Sequence, residues 1–437
     1  MSRISRSAVF VAALLAPVTV PAQTPPAADS ARLILADVLG LLEAHNPDLE
    51  AARQMALAAE ARINPARTLP DPQLQFGLMN RDFPGLGLRN PLGMNQVQLM
   101  QMIPIAGQLG LAGRAARAQA EAAQSRVVDR RFELRARAAM VFYELYQLDR
   151  TILVDSATRD LLRDIATTAR TMYATALGRQ ADVLRAQVEI ERMTEEIARM
   201  RAMRDAAAAR LNALLDRPAH TAVPTPALPR FPDGLAPAES LEAAALAGRP
   251  MLAAAEADRA AAEALEARAR REIWPDLQVG LQYGQRPMLE GTDRMVSLML
   301  GFSLPVWAGR RQLPMRREAE AMRRAADAEL QAMRADTRGR LGELGAAIRR
   351  TRALRSLYLT TILPQADATV RSALAAYRVG EVDLPMLLDA RMSVNAYHRQ
   401  LYRLDAEEGT ALAELEMLLG RSLFDPAVIA TPGGNRQ

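Results

Sequence analysis

The chain has 437 residues, half of them apolar but only 4% aromatic, with a net charge of +5 and no cysteine. The lack of cysteine excludes disulfides, thiol catalysis, thiolate metal sites and a lipid-modified N-terminal cysteine. Every basic residue is arginine, and the acids are interleaved with them, which is the pattern of solvated helix faces rather than of a nucleic-acid-binding stripe.

Residues 1–22 read as a secretory signal peptide, with Arg3 and Arg6 as a basic n-region, Ala8 to Leu15 as an apolar core and Val20-Pro21-Ala22 as a cleavage site. A retained anchor would need about 20 apolar residues without Pro17 and Pro21. A helix is predicted over roughly Ser30 to Thr68, carrying His45-Asn46-Pro47. The period then changes to two. Leu74, Phe76 and Leu78 alternate with Gln73, Gln75 and Gly77, and after a Gly/Pro-rich loop (Asp82 to Pro91) the run from Gln96 to Ile103 alternates again. Two strands of about ten residues are expected.

From Ile105 to Arg217 there is no proline. Leu134, Ala138, Val141, Leu145, Leu148 and Ile152 form one helical stripe, and Ile190, Met193, Ile197 and Met200 resume the rhythm beyond Gly178. The expectation is a helical hairpin turning at Gly178, whose first arm, at ~1.5 Å per residue, reaches ~100 Å. A proline-rich linker, read as a belt around the middle, follows from Pro218 to Pro237. A helix over Glu239 to Glu272 is expected to continue the returning arm above that belt.

The layout then recurs. Pro47 corresponds to Pro250 and Pro72 to Pro275, the strand ends Pro104 and Pro305 match, and so do Gly178 with Gly380 and Leu215 with Leu419, all at offsets of 201 to 204. The domains follow as a first repeat over 23–217, a linker over 218–238, a second repeat over 239–423 and a tail over 424–437. Pro364 is expected to interrupt the second long helix. Within the second pair of strands, Val296, Leu298, Leu300, Phe302 and Leu304 oppose Ser297, Met299, Gly301 and Ser303, while Leu277, Val279, Leu281 and Tyr283 oppose Gln278, Gly280 and Gln282. A soluble half-buried sheet shows the same alternation as a bilayer-facing barrel with a wet lumen. The long hairpins favour the barrel, and because lipid tolerates no unpaired strand edge, four strands per chain require several copies to close it.

These features resemble the TolC family of outer-membrane efflux factors over about Leu33 to Leu423. The resemblance is carried by Asn46-Pro47, the strand entries Leu69-Pro-Asp-Pro72 and Trp274-Pro275-Asp276, the exits Ile103-Pro104-Ile-Ala-Gly107 and Leu304-Pro305-Val-Trp-Ala-Gly309, the turns Ala176-Leu177-Gly178 and Tyr377-Arg-Val-Gly380, and Leu387-Leu-Asp-Ala390, whose order along the chain and double occurrence are the specific signal. It implies a membrane α+β fold, in which a homotrimer forms a twelve-stranded transmembrane β-barrel continued by a long α-helical periplasmic barrel. It further implies an outer-membrane location, docking to a periplasmic adaptor (membrane fusion) protein and an inner-membrane efflux pump of RND type, no cofactor and no enzymatic activity. The stretch from Pro70 to Asn80 is more similar to the heavy-metal branch, so heavy-metal ions are the candidate cargo.

His45, His220 and His398 are isolated, without partners at catalytic or metal-binding spacing. The residues singled out instead belong to a passage. Leu177, Gly178, Val379 and Gly380 are the tips expected to contact the adaptor, with the glycines permitting the reversed backbone. The resemblance places Asp389 in a constricted, cation-attracting ring, with Asp383 as a weaker candidate and Met386 where the family often carries another acid. Gly178 to Ala186 is two residues shorter than Gly380 to Ala390, and the position aligned with Asp389 is Arg185, a candidate locking partner for that aspartate. Gln75, Gln98, Gln278, Gln282, Ser297 and Ser303 are expected to line a neutral barrel lumen. Met100, Met102 and Met299 share the predicted lumen face, where thioethers suit soft metals but also serve as ordinary packing. The competing function is a periplasmic adaptor or coiled-coil scaffold without a barrel.

Overall fold

A computed structural model describes residues 32–79, 93–176, 178–288 and 291–423. The predicted signal peptide, most of the first strand loop, Leu177 and the tail lie outside them. The first repeat runs α1 (Leu35–His45), α2 (Pro47–Ala61), α3 (Ile63–Arg67), β1 (Gln73–Met79), β2 (Met94–Ile103), α4 (Gln108–Ala174) and α5 (Gln180–Leu214). The second runs α6 (Ala238–Gly248), α7 (Pro250–Arg271), β3 (Leu277–Met288), β4 (Gly291–Phe302), α8 (Gln312–Leu357), a π-helical turn (Tyr358–Ile362), α9 (Leu363–Arg378) and α10 (Leu384–Leu419).

The single helix expected over Ser30 to Thr68 is broken, and so is the one over Glu239 to Glu272. In each case the residue before a proline is driven out of the helical region: Asn46 has ψ 120° and Arg249 ψ 117°. Asn46 makes use of the break. Its Oδ1 accepts from the Leu49 amide at 3.1 Å as an N-cap, and its Nδ2 donates to the Leu214 carbonyl at 2.9 Å. Pro364 has the opposite outcome. The helix continues through it, because the π turn shifts the Leu363 amide to the Tyr358 carbonyl and absorbs the missing donor one residue later.

The long arm is a continuous helix of 67 residues, ~100 Å at 1.5 Å per residue. Its predicted stripe is buried at Leu134, Ala138, Leu145 and Leu148. Around it the helices form four columns. The α5 helix lies under α2 on one flank of α4, α10 lies under α7 on the other, and α8 with α9 packs outside the α10/α7 column. The expected end-to-end stacking of α5 with the 239–272 helix is therefore not what forms. The C-terminus of α5 meets the start of α2 through Asn46, and that of α10 meets the start of α7, where a Cβ on Gly248 would stand 2.7 Å from the Leu419 carbonyl oxygen. Residues 218–237 leave the column axis altogether. Val223, Leu228 and Phe231 pack sideways onto a core built from α1, α4 and α5, and Phe231 also reaches a second core of α6, α8 and α10.

Above this level the columns hold few large side chains. Ala115, Ala116, Ala118, Ala122, Ala254 and Ala261 are buried there, and arginine–carboxylate pairs lace the helices, including Arg259–Asp327 at 2.6 Å and Arg323–Glu266 at 2.8 Å. Glu266 is buried, but exposed pairs such as Arg259–Asp327 contribute ~0–1 kcal/mol each, so close alanine packing sets the spacing and the charges tune it. Where α10 crosses α4, Gly409 faces the fully buried Tyr143 ring so closely that no Cβ fits. Gly409→Ala is expected to destabilise the protein by about 1–3 kcal/mol through overpacking; an unchanged thermal midpoint would show that this crossing is looser than described.

Candidate channel wall and periplasmic tip

The four strands form one antiparallel sheet in the order β1-β2-β3-β4. Among the described residues, the outer edges of β1 and β4 carry no partner strand. The register sorts the side chains into two faces. On one, Phe76, Val97, Tyr283 and Val296 form a cross-strand row, and Leu74, Leu99, Leu281 and Leu298 form the next. This face is bare: Phe76 is 75% exposed and Val296 70%. At the helix end of the sheet the chain's two tryptophans, Trp274 and Trp307, are also exposed. Aromatic residues flanking an apolar band match a membrane interface.

The opposite face is polar. Gln75, Gln98, Gln282 and Ser297 fall in a single row across all four strands. Gln278 lies between Met102 and Gly301 in another row. Ser303, just past β4, has a structural duty: its amide donates to the Asp276 carbonyl at 3.0 Å and its Oγ accepts from the Asp276 amide at 2.9 Å. Gln96 belongs with the lining too, since its Oε1 accepts from Gln282 Nε2 at 2.5 Å. Its place in the alternation with Gln98 was the signal.

At the far end, Leu162, Ile165, Met193, Ile197, Tyr377 and Leu384 pack four helices into a tip core. The two turns are built differently from the glycine expectation. Gly380 has φ +79°, but in the first turn the left-handed residue is Ala176, at φ +58°, not Gly178. Gly178 serves close approach, because a Cβ there would stand 3.0 Å from that of Met172. Ala176 is thus the equivalent of Gly380. On that alignment Arg179 matches Asp383 and Arg185 matches Asp389, all 204 residues apart, and the expected two-residue shortening disappears. Asp383 caps α10, its Oδ1 accepting from the Met386 amide at 3.3 Å. Arg185, Asp389 and Val379 are exposed, and no ion pair joins Arg185 to Asp389 within the chain. Leu177 lies outside the described residues.

The stripe along α4 holds one feature that sequence reading missed. The position after Ile152 in the 4-3 rhythm is Asp155, and its side chain is completely buried. Asn395 Nδ2, from α10, donates to Asp155 Oδ1 at 2.9 Å and to Thr158 Oγ1 at 3.0 Å, while Asp155 Oδ2 has no hydrogen-bond partner. Burial raises the Asp155 pKa, against the Asn395 hydrogen bond and the charge of Arg399, with Glu196 adding to the rise. Asp405 nearby is also raised by burial, but it has a full partner in Arg355 Nε at 2.6 Å.

Two expectations follow. Trp274 and Trp307 emission should be quenched by brominated lipid in proteoliposomes, and full protection would remove this face from the bilayer. Because the folded Asp155 carboxyl holds its proton more tightly than the unfolded one, stability should fall as pH rises from the ordinary 3.8 through the raised folded value, and level off above it. Asp155→Asn should flatten that decline and raise the neutral-pH melting temperature seen by helical circular dichroism; a lower melting temperature would show the ionised carboxylate to be stabilising.

Among the described residues no three His, Cys, Asp or Glu side chains converge on a metal-sized site, and no helix is long and apolar enough to cross a membrane. The family model for outer membrane efflux proteins matches residues 38–217 and again 241–421. A search of curated proteins found no significant match. Among solved structures, the outer membrane protein VceC from Vibrio cholerae superposes with a TM-score of 0.76 at 17% identity, covering 89% of this chain and 96% of that one. CusC gives 0.75 at 17% identity, with 89% and 92% covered. The open state of the MtrE outer membrane channel of Neisseria gonorrhoeae gives 0.71 at 16% identity, with 89% of each chain covered. The two family matches fall on the two structural repeats, and the fold is that of the TolC-type channels. The chain therefore belongs to the outer membrane efflux protein family, as a non-enzymatic channel subunit.

Proposed function

We propose that three copies of this chain close into the exit duct of a tripartite efflux system, receiving cargo from a periplasmic adaptor and an inner-membrane pump of RND type. The observation that carries this reading is the sheet itself, with one bare apolar face, one glutamine-lined face and two open edges. Closing β4 of one copy onto β1 of the next pairs every edge and turns the apolar face to lipid. The wall below would continue as twelve helical columns, four from each chain.

The tips around Ala176–Gly178 and Val379–Gly380 are the proposed adaptor contacts, since they are farthest from the membrane and Val379 is bare there. A lining of glutamine and serine discriminates little among solutes, so the pump would choose the cargo. Heavy-metal ions are the favoured class, on the likeness of the Pro70–Asn80 stretch to that branch. Asp389 is proposed as the constriction acid, one carboxylate per chain around the axis, with Arg185 as its locking partner and Asp383 confined to capping.

Light scattering in detergent should give a trimer, and planar bilayers should show discrete conductance steps; a detergent-free soluble monomer would support the adaptor or scaffold reading instead. Asp389→Asn should lower cation over anion permeability several-fold, read from reversal potentials, and an unshifted reversal potential would sink the ring. Replacing either Arg185 or Asp389 should raise conductance, and no change in both would dismiss the lock.

A further inference from the structure

The polar face of the sheet carries methionines in an ordered relation to two glycines of β3. Met100 of β2 and Met299 of β4 are both cross-strand partners of Gly280. Four residues along β3, Gly284 is paired with Met295 of β4, and Met94 of β2 lays its Sδ 3.3 Å from the point where a Gly284 Cβ would stand. The Met299 Cε lies 3.4 Å from the equivalent point on Gly280. At Gly280 both register partners are methionines and Met299 leans over the trough, whereas at Gly284 the β2 partner is Gln96 and Met94 reaches over from two residues away on the same strand. Strands are spaced ~4.8 Å apart, which sets the flanking Cα atoms about 10 Å from each other, within reach of two converging methionines.

The donors around the troughs are thioethers and neutral amides, with Gln73 in the Met100 row and Gln96 in the Gly284 row. The row between them is Gln75, Gln98, Gln282 and Ser297, all neutral. The nearest charged side chains on this face, Arg286 and Asp293, are paired with each other in register beyond Gly284. A wet face would ordinarily carry polar residues at these positions, and filling apolar gaps does not account for methionines beside glycines on the side away from the leucines. Paired thioethers without carboxylate or imidazole select soft monovalent d10 cations over hard ones. Two such donors hold an ion loosely, as a passage requires.

We propose that Met100–Gly280–Met299 and Met94–Gly284–Met295 are two successive transit sites for a soft monovalent cation of the Cu(I) or Ag(I) class. This rests on the closed-barrel reading and gives its cargo a chemical identity. The test is calorimetric titration of the detergent-purified trimer with Ag(I), which needs no reductant, in chloride-free buffer. Leucine matches methionine in volume closely enough to keep the sheet packed. Met100→Leu with Met299→Leu, and separately Met94→Leu with Met295→Leu, should each remove one Ag(I) per chain. The fourfold variant should bind about tenfold more weakly or worse, while Met203→Leu, on the periplasmic helix α5, should match the wild type. A fourfold variant that titrates like the wild type overturns the inference. Potassium conductance of the same samples reports on the barrel separately, so an intact channel that ignores Ag(I) leaves the duct standing and removes only the metal sites.

Discussion

Lipid offers backbone amides and carbonyls no partner, and that constraint organises this molecule. Four strands in the order β1-β2-β3-β4 satisfy each other inside and leave two edges outside. In the proposed assembly, closure between copies would remove those edges and set the helices below as a ring of columns. Each column would then have a neighbour on both sides, which supports the stretch nearest the sheet, where few large side chains are buried. In the stretch between the equator and the sheet the buried contacts are mostly alanines, and arginine–carboxylate pairs run between the helices.

The two ends of the duct solve different problems. In the sheet, chemistry is sorted by face, and strict alternation keeps solvent and lipid apart. At the tip, four helices share one apolar core, and a buried carboxyl sits within the α4–α10 contact just above it. Asp155 is held by Asn395 on one oxygen and by nothing on the other, so its packing is sensitive to whether it carries a proton. Asp405, matched by Arg355, is not poised in that way.

Much of this was legible in the sequence because the two periods are so clean. The stripe from Leu134 to Ile152 gave the long helix, and the alternation through Gln75 and Gln98 gave the polar face. Asp155 went unseen although it occupies the next position of the same stripe, because attention to apolar residues ends where a polar one interrupts them. Proline was harder to interpret. Pro47 and Pro250 break their helices while Pro364 does not, and the difference lies in whether a π turn can rehouse one hydrogen bond. Glycine misled at the first turn, where Ala176 takes the left-handed conformation, which costs an alanine ~1–2 kcal/mol, and Gly178 merely yields space. The pairing of columns could not be read at all, since it depends on where the chain leaves the axis rather than on any local pattern.

That pairing has an ancestral implication. Within the first repeat α5 climbs back to the level where α2 began, and within the second α10 climbs back to α7. Each repeat is thus a complete circuit that starts and ends at the equator, and residues 218–237 merely hand the chain from one circuit to the next. In the proposed trimer six such units would surround the axis, an approximate sixfold rotational symmetry written in a threefold assembly. A half-length progenitor could have built the same tube as a hexamer. Fusion would have freed the two halves to diverge, and they differ where a sixfold tube could not: an uninterrupted α4 against a π-bulged α8–α9, and Arg185 against Asp389.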